Sequence, residues 1–208
     1  MKKRIGSLTW VGFTLILLGY LMVWLPNPAA GFALTGIELG EWVKFLPAVQ
    51  AGDIGPRELF YLPPITLGLM MALVTSAWSN RRWQTWAMRG LAFVVSWLAF
   101  PAIETIRFEG TAQWGLRMTW IGMVALAGVV AARLRQRRSP TWIPRTLIVF
   151  GAVVGTLLPA TVFFPIRDLV SGILGMPLGV GVGFWFNVLG HILAAIGVVW
   201  GWPAAQDA

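Results

Sequence analysis

The sequence predicts an all-α integral membrane protein, a six-transmembrane helix bundle forming one polytopic domain over residues 1–208. Three observations predict it. Six apolar stretches, each roughly 18 to 25 residues long, are the length that crosses a hydrocarbon core of about 30 Å as a helix. With 57% hydrophobic and only 12% charged residues, the chain has too little polar surface to solvate a water-soluble globule. Its net charge of +8 is unevenly spread, with cations concentrated in alternate loops.

The predicted spans are residues 8–25, 61–78, 88–105, 114–132, 146–164 and 180–202. Lys2, Lys3 and Arg4 precede the first, Arg81, Arg82 and Arg89 lie at the second turn, and Arg133, Arg135, Arg137, Arg138 and Arg145 lie at the fourth. These regions hold eleven of the sixteen cations, whereas the opposite loops hold seven of the eight acids. By the positive-inside rule both termini face the cytoplasm and the chain sits multi-pass in the plasma membrane. The cations lie in short turns outside any nucleic-acid-binding module, so lipid headgroups, not nucleic acid, are the expected partner. The absence of cysteine excludes disulfides, thiolate metal sites and cysteine catalysis. The first apolar run resembles a signal peptide but ends in bulky Trp24 and Leu25, which favours an uncleaved helix.

Tryptophan supports the same map. Trp24, Trp42, Trp114 and Trp185 fall at the outer interface, and Trp10, Trp78, Trp83, Trp86, Trp142, Trp200 and Trp202 at the inner one, with Trp97 and Trp120 mid-span. Amphipathic indoles settle at headgroup depth.

Two cytoplasmic turns match without gaps. Residues 81–91 and 137–147 share Arg-Arg-x-x-Thr-Trp-x-x-Arg-x-Leu, and each leads into a helix that reaches Pro-Ala, at Pro101-Ala102 and Pro159-Ala160. Three tandem αα-hairpin repeats would produce this pattern; so would convergence, since any inner turn favours arginine and tryptophan.

The loop from 26 to 60 is expected to carry a short amphipathic helix at about 37–49. Leu39, Trp42, Val43, Leu46 and Val49 recur at helical spacing, with Glu38, Glu41 and Lys44 on another face. It would lie on the outer leaflet or fold as a lid over the bundle mouth.

Candidate functional residues form two groups. Glu104 and Arg107 share a helix face at i and i+3, and with Glu109, Arg117, Arg167 and Asp168 they could form an outer polar cluster for binding or gating. The second group is Asn187 and His191 within the sixth span, suited to an interhelical hydrogen bond, to ligation of haem or chlorophyll, or to proton or substrate handling. The expectation is no cofactor and no metal. The same span carries Gly179, Gly181, Gly183, Gly190, Gly197 and Gly201, which permit close approach of another helix or a partner chain, in self-association or with other membrane subunits.

Pro101 through Arg107 resembles the proline-acid-base gate of mitochondrial carrier proteins, though only in one turn of three and with spacing off by one. Glu104, Arg167, Asp168, Asn187 and Gly190 resemble a pattern in VanZ-like membrane proteins, without that family's aspartate-asparagine spacing. The function read from the chain is a noncatalytic subunit of a membrane complex or a small transport or channel-type protein. The alternatives are a haem- or chlorophyll-binding electron-transfer or pigment protein using His191, and an interfacial lipid-modifying or VanZ-like protein using Glu104 and the outer cluster.

Overall fold

A computed structural model of the chain describes residues 6–27, 32–108, 110–137 and 140–202. In chain order the elements are α1 (Ser7–Leu21), β1 (Val23–Asn27), β2 (Phe32–Thr35), α2 (Gly36–Trp42), α3 (Pro47–Gln50), α4 (Leu62–Val74), α5 (Trp83–Ser96), α6 (Ile103–Phe108), α7 (Thr111–Gln136), α8 (Trp142–Leu174) and α9 (Val182–Gly201). Among the described residues four helical segments are long and apolar enough to cross a membrane: 57–77, which is α4 with its 3-10 flanks, then 114–136 within α7, α8, and α9. Helix α1 is apolar but shorter. The exposed faces of α7 and α8 present Met123, Leu126, Val129, Phe150, Val153 and Leu157, a surface that only lipid or another apolar body would cover.

Helix α4 is the hub, packed against α1, α5, α7 and α8, and almost every residue in it is buried. Its sequence, Leu-Pro-Pro-Ile-Thr-Leu-Gly-Leu-Met-Met-Ala-Leu-Val, is apolar on all sides, as a helix without a solvent or lipid face must be. Pro63 and Pro64 fall in its first turn, where a missing N–H costs nothing.

Helices α1 and α9 run antiparallel with their backbones in contact. A methyl group at Gly12 would lie 2.5 Å from the Ala194 nitrogen and 2.6 Å from the Gly190 oxygen; one at Gly19 would lie 2.5 Å from the Asn187 nitrogen. On α9 the buried Gly183, Asn187, Gly190, Ala194 and Gly197 follow the alternating four- and three-residue steps of a coiled-coil seam. The glycine face of the sixth helix is therefore covered by the first helix of the same chain, and a second copy or another subunit would have to seat elsewhere.

Several predicted boundaries are corrected. The first span stops at Leu21, because the chain turns extended and β1 pairs antiparallel with β2; the fold is thus helical with one added hairpin. Trp24, expected at the interface, is fully buried and packs edge-on against Phe60, Phe163 and Phe184. Its indole Nε1 donates to the Gly19 carbonyl at 2.8 Å, satisfying one acceptor left over at the end of α1. The third span breaks: α5 passes through a 3-10 turn at 97–99, ends before Pro101, and α6 begins anew at Ile103. The fifth continues instead of stopping, with Pro159 and Pro165 inside α8, which ends only at Gly175, φ +66°. Only glycine takes that left-handed cap without strain. The amphipathic segment 37–49 is split into α2, a 3-10 turn at Val43–Phe45 and α3, because Pro47 can start a helix but not continue one.

Candidate functional site

The outer polar cluster does not assemble as expected. Glu104 and Arg107 do share α6, but both are exposed, and no ion pair joins them among the described residues. Arg167 and Asp168 lie on α8, not in a turn, and pair with each other at 2.6 Å with Asp168 65% exposed. Glu109 lies outside the described residues. Arg117 alone turns inward, and it makes a different site.

Arg117 is 2% exposed. Its Nε donates to the Ala99 carbonyl at 2.8 Å and one terminal nitrogen to the Phe100 carbonyl at 2.9 Å. These acceptors are free because the helix stops ahead of Pro101, so the last carbonyls have no helical N–H following them. A guanidinium satisfies several such acceptors at once and is favoured at the negative end of a helix. Its other terminal nitrogen donates to Glu41 Oε1 at 2.8 Å, and the cation lies over the Tyr61 ring at 3.6 Å from its centroid.

Glu41 comes from α2, so the carboxylate that neutralises Arg117 is carried by the segment 36–50 between α1 and α4, the cap. The Tyr61 hydroxyl donates to the same Oε1 at 2.6 Å, and Lys44 Nζ stands 3.8 Å from Oε2. Burial opposes the charged form, but the Tyr61 hydroxyl and the Arg117 guanidinium outweigh it, with Arg57 adding attraction, and hold the Glu41 carboxyl below the usual carboxylate range. Tyr20, buried with no hydrogen-bond partner on its hydroxyl, lies within electrostatic reach of Arg117 and Glu41. The chain has two tyrosines, and both converge here.

The cap is positioned from the sequence upward. Thr35 and Glu38 form a capping box: the Thr35 Oγ1 accepts from the Glu38 N–H, and the Thr35 N–H donates to Glu38 Oε2 at 2.9 Å. Such boxes stabilise a helix start by about 1 kcal/mol. Gly40 permits the approach, since a methyl there would sit 2.5 Å from Tyr61 Cζ. Glu38 is thereby occupied structurally, while Trp42 and Lys44 flank a cleft of about 560 Å³ between α2 and α6, into whose rim Glu104 also faces.

The second candidate group is brought together, with partners the sequence reading missed. His191 is fully buried at the meeting of α4, α8 and α9. Its Nδ1 lies 2.9 Å from the Asn187 carbonyl oxygen and its Nε2 lies 3.0 Å from Thr66 Oγ1. The Asn187 side-chain nitrogen reaches the Gly155 carbonyl at 3.4 Å. Gly155 is forced: a methyl there would press on both His191 Nε2 and Thr66 Oγ1. Haem or chlorophyll does not fit this arrangement, because both ring nitrogens are engaged and the Gly155 backbone closes the side from which a macrocycle would approach Nε2. Among the described residues no three His, Cys, Asp or Glu side chains gather as a metal site.

Fold and site together define a predominantly helical membrane protein with a cap tied to its bundle by a buried arginine. No protein family, characterised protein or solved structure matches the chain. The likenesses to carrier and VanZ-like proteins therefore stand on the quoted residues alone.

Proposed function

We propose that the protein is a noncatalytic subunit of a membrane complex, threaded six times through the plasma membrane with both termini cytoplasmic, and that its outer cap is the recognition element. The observation that carries this reading is the Arg117 junction. The carboxylate facing the bundle is consumed in holding the cap down, which favours a fixed platform over an acid or base poised for chemistry. Around that platform Phe45, Ile103 and Phe108 stand well exposed, an apolar rim suited to another membrane component. The three-hairpin repeat belongs to the same reading, supported by the match between residues 81–91 and 137–147.

The test is purification in mild detergent. A second protein held at fixed stoichiometry, and released by Phe45→Asp or Ile103→Asp without loss of helix content, is the expected outcome. A single species that remains alone in detergent and carries a solute across proteoliposomes would favour a second reading, a small transport or channel-type protein. That reading is favoured by one observation, the ionisable His191 in the middle of the bundle. An interfacial lipid-modifying role would need Glu104, and turnover abolished in Glu104→Gln at unchanged expression is its signature.

A further inference from the structure

The hydrogen bonds around His191 carry more than packing. A carbonyl oxygen only accepts, so the 2.9 Å contact to Asn187 O places a proton on Nδ1. In the neutral ring Nε2 is then a bare lone pair, and its partner at 3.0 Å, Thr66 Oγ1, has to donate. Thr66 has one hydroxyl proton but three acceptors within reach: Nε2, the Leu62 carbonyl at 2.9 Å and the Pro63 carbonyl at 3.1 Å. The two carbonyls belong to the first turn of α4 and can take the hydroxyl without any heavy atom moving.

We propose that His191 and Thr66 form a one-proton binding site at the centre of the bundle. In the empty state Thr66 donates to Nε2. When a proton binds, Nε2–H donates to Thr66 Oγ1, and the Thr66 hydroxyl rotates to the Leu62 or Pro63 carbonyl. The incoming proton becomes the Nε2–H bond, the Nδ1–H bond to Asn187 O is kept, and the imidazolium carries the single added charge. Gly155 keeps the space in which the two groups meet. The elements packed here present no carboxylate beside the ring. Helices α4 and α9 carry no other charged side chain, α8 carries Arg145, Arg167 and Asp168 only towards its ends, and α1 contributes Tyr20, while Tyr61 immediately precedes α4. The site therefore receives its charge on hydrogen bonds alone, and Thr66 is its main acceptor.

The inference is independent of the proposed subunit role, because its readout is the histidine itself. The chain has a single histidine, so nitrogen NMR of ¹⁵N-histidine-labelled protein in detergent or bilayers reports this ring alone. The expected neutral form has its proton on Nδ1, and acidification converts it reversibly to the doubly protonated ring while the helices stay folded. A hydrogen bond to a charged group is stronger than the neutral one. Thr66→Val should therefore lower the proton-binding constant by on the order of fivefold, and Thr66→Ser, which keeps the hydroxyl, should restore it. A neutral ring protonated on Nε2 would overturn the proposal. So would a ring that stays neutral to the acid limit of folding, or identical titrations for the wild type and Thr66→Val. The first two readouts use the unaltered protein and hold even if the valine variant does not fold.

Discussion

Replacing Glu41 with glutamine removes one charge and little else. The amide oxygen can still accept from Tyr61 and Arg117, and the side chain keeps its length. What changes is the environment of Arg117, 2% exposed, which loses the Glu41 carboxylate while keeping its bonds to the Ala99 and Phe100 carbonyls. Breaking a fully buried ion pair costs about 3–5 kcal/mol. Glu41 is 33% exposed, so water screens part of that, and roughly 2 kcal/mol is the reasonable share. If the loss falls on cap closure, the open population rises about thirtyfold. Hydrogen–deuterium exchange of peptides covering residues 36–45, with the protein in detergent, reads this directly. Arg117→Met combined with Glu41→Gln should cost less than the two single changes added together, because no buried charge is left stranded. Equal exchange in Glu41→Gln and wild type would refute the reasoning. The pH dependence has a fixed sign: the folded-state carboxyl titrates below its unfolded value. Its contribution is therefore fully present above the ordinary carboxylate range and is lost as pH falls through the folded-state value.

Gly12→Val should prise α1 from α9, since even its first carbon would meet Ala194 and Gly190 backbone at 2.5 and 2.6 Å; a loss of about 3 kcal/mol would show as lower thermal stability in detergent, and unchanged stability would contradict the packing. Gly155→Ala should separate His191 from Thr66 and shift the ¹⁵N signal of the ring even where the fold survives. A thiol-reactive, membrane-impermeant probe should label a cysteine introduced at Gln136 only in opened cells; labelling of intact cells would invert the proposed orientation.

The membrane class and the positions of α4, α7 and α9 were legible because each rests on a local property: apolar length, and charge next to it. Helices α7 and α9 follow their predicted spans closely. Interruptions were legible only by type. Pro101 ends a helix and Pro159 does not, and nothing in a single sequence separates them, since the difference is whether neighbours can absorb a freed carbonyl. At Pro101 Arg117 absorbs two. The cap start at Thr35 was readable from Thr-x-x-Glu, yet the apolar spacing drew the expected helix to about 37–49 and past the break at Pro47. Of the site residues, His191 and Asn187 stood out as polar groups in an apolar run, whereas their partners Thr66 and Gly155 looked like ordinary span residues. Tyr20 and Tyr61 are the chain's two tyrosines, and their meeting at Arg117 and Glu41 is a tertiary arrangement that spacing along one chain does not encode.

Two of the buried arginines, Arg89 and Arg117, stand at opposite ends of the α5–α7 pair. At the end of α5 Arg117 closes the carbonyls where the helix stops. At the other end Arg89 of α5 donates to Thr75 Oγ1 at 2.9 Å and to Asn80 Oδ1 at 2.8 Å, and Asn80 in turn donates to the Ala132 carbonyl of α7. Arg117 thus ties helix-end carbonyls to a neighbouring element, Arg89 ties together two polar side chains of the turn before its helix, and each stands against an aromatic ring, Tyr61 or Trp86. The difference lies in the counter-charge. Arg89 has neutral partners among the described residues, but Arg117 draws its carboxylate from the cap. Helix α5 is consequently fixed at its start by its own turn and at its end by a residue pinned to Glu41.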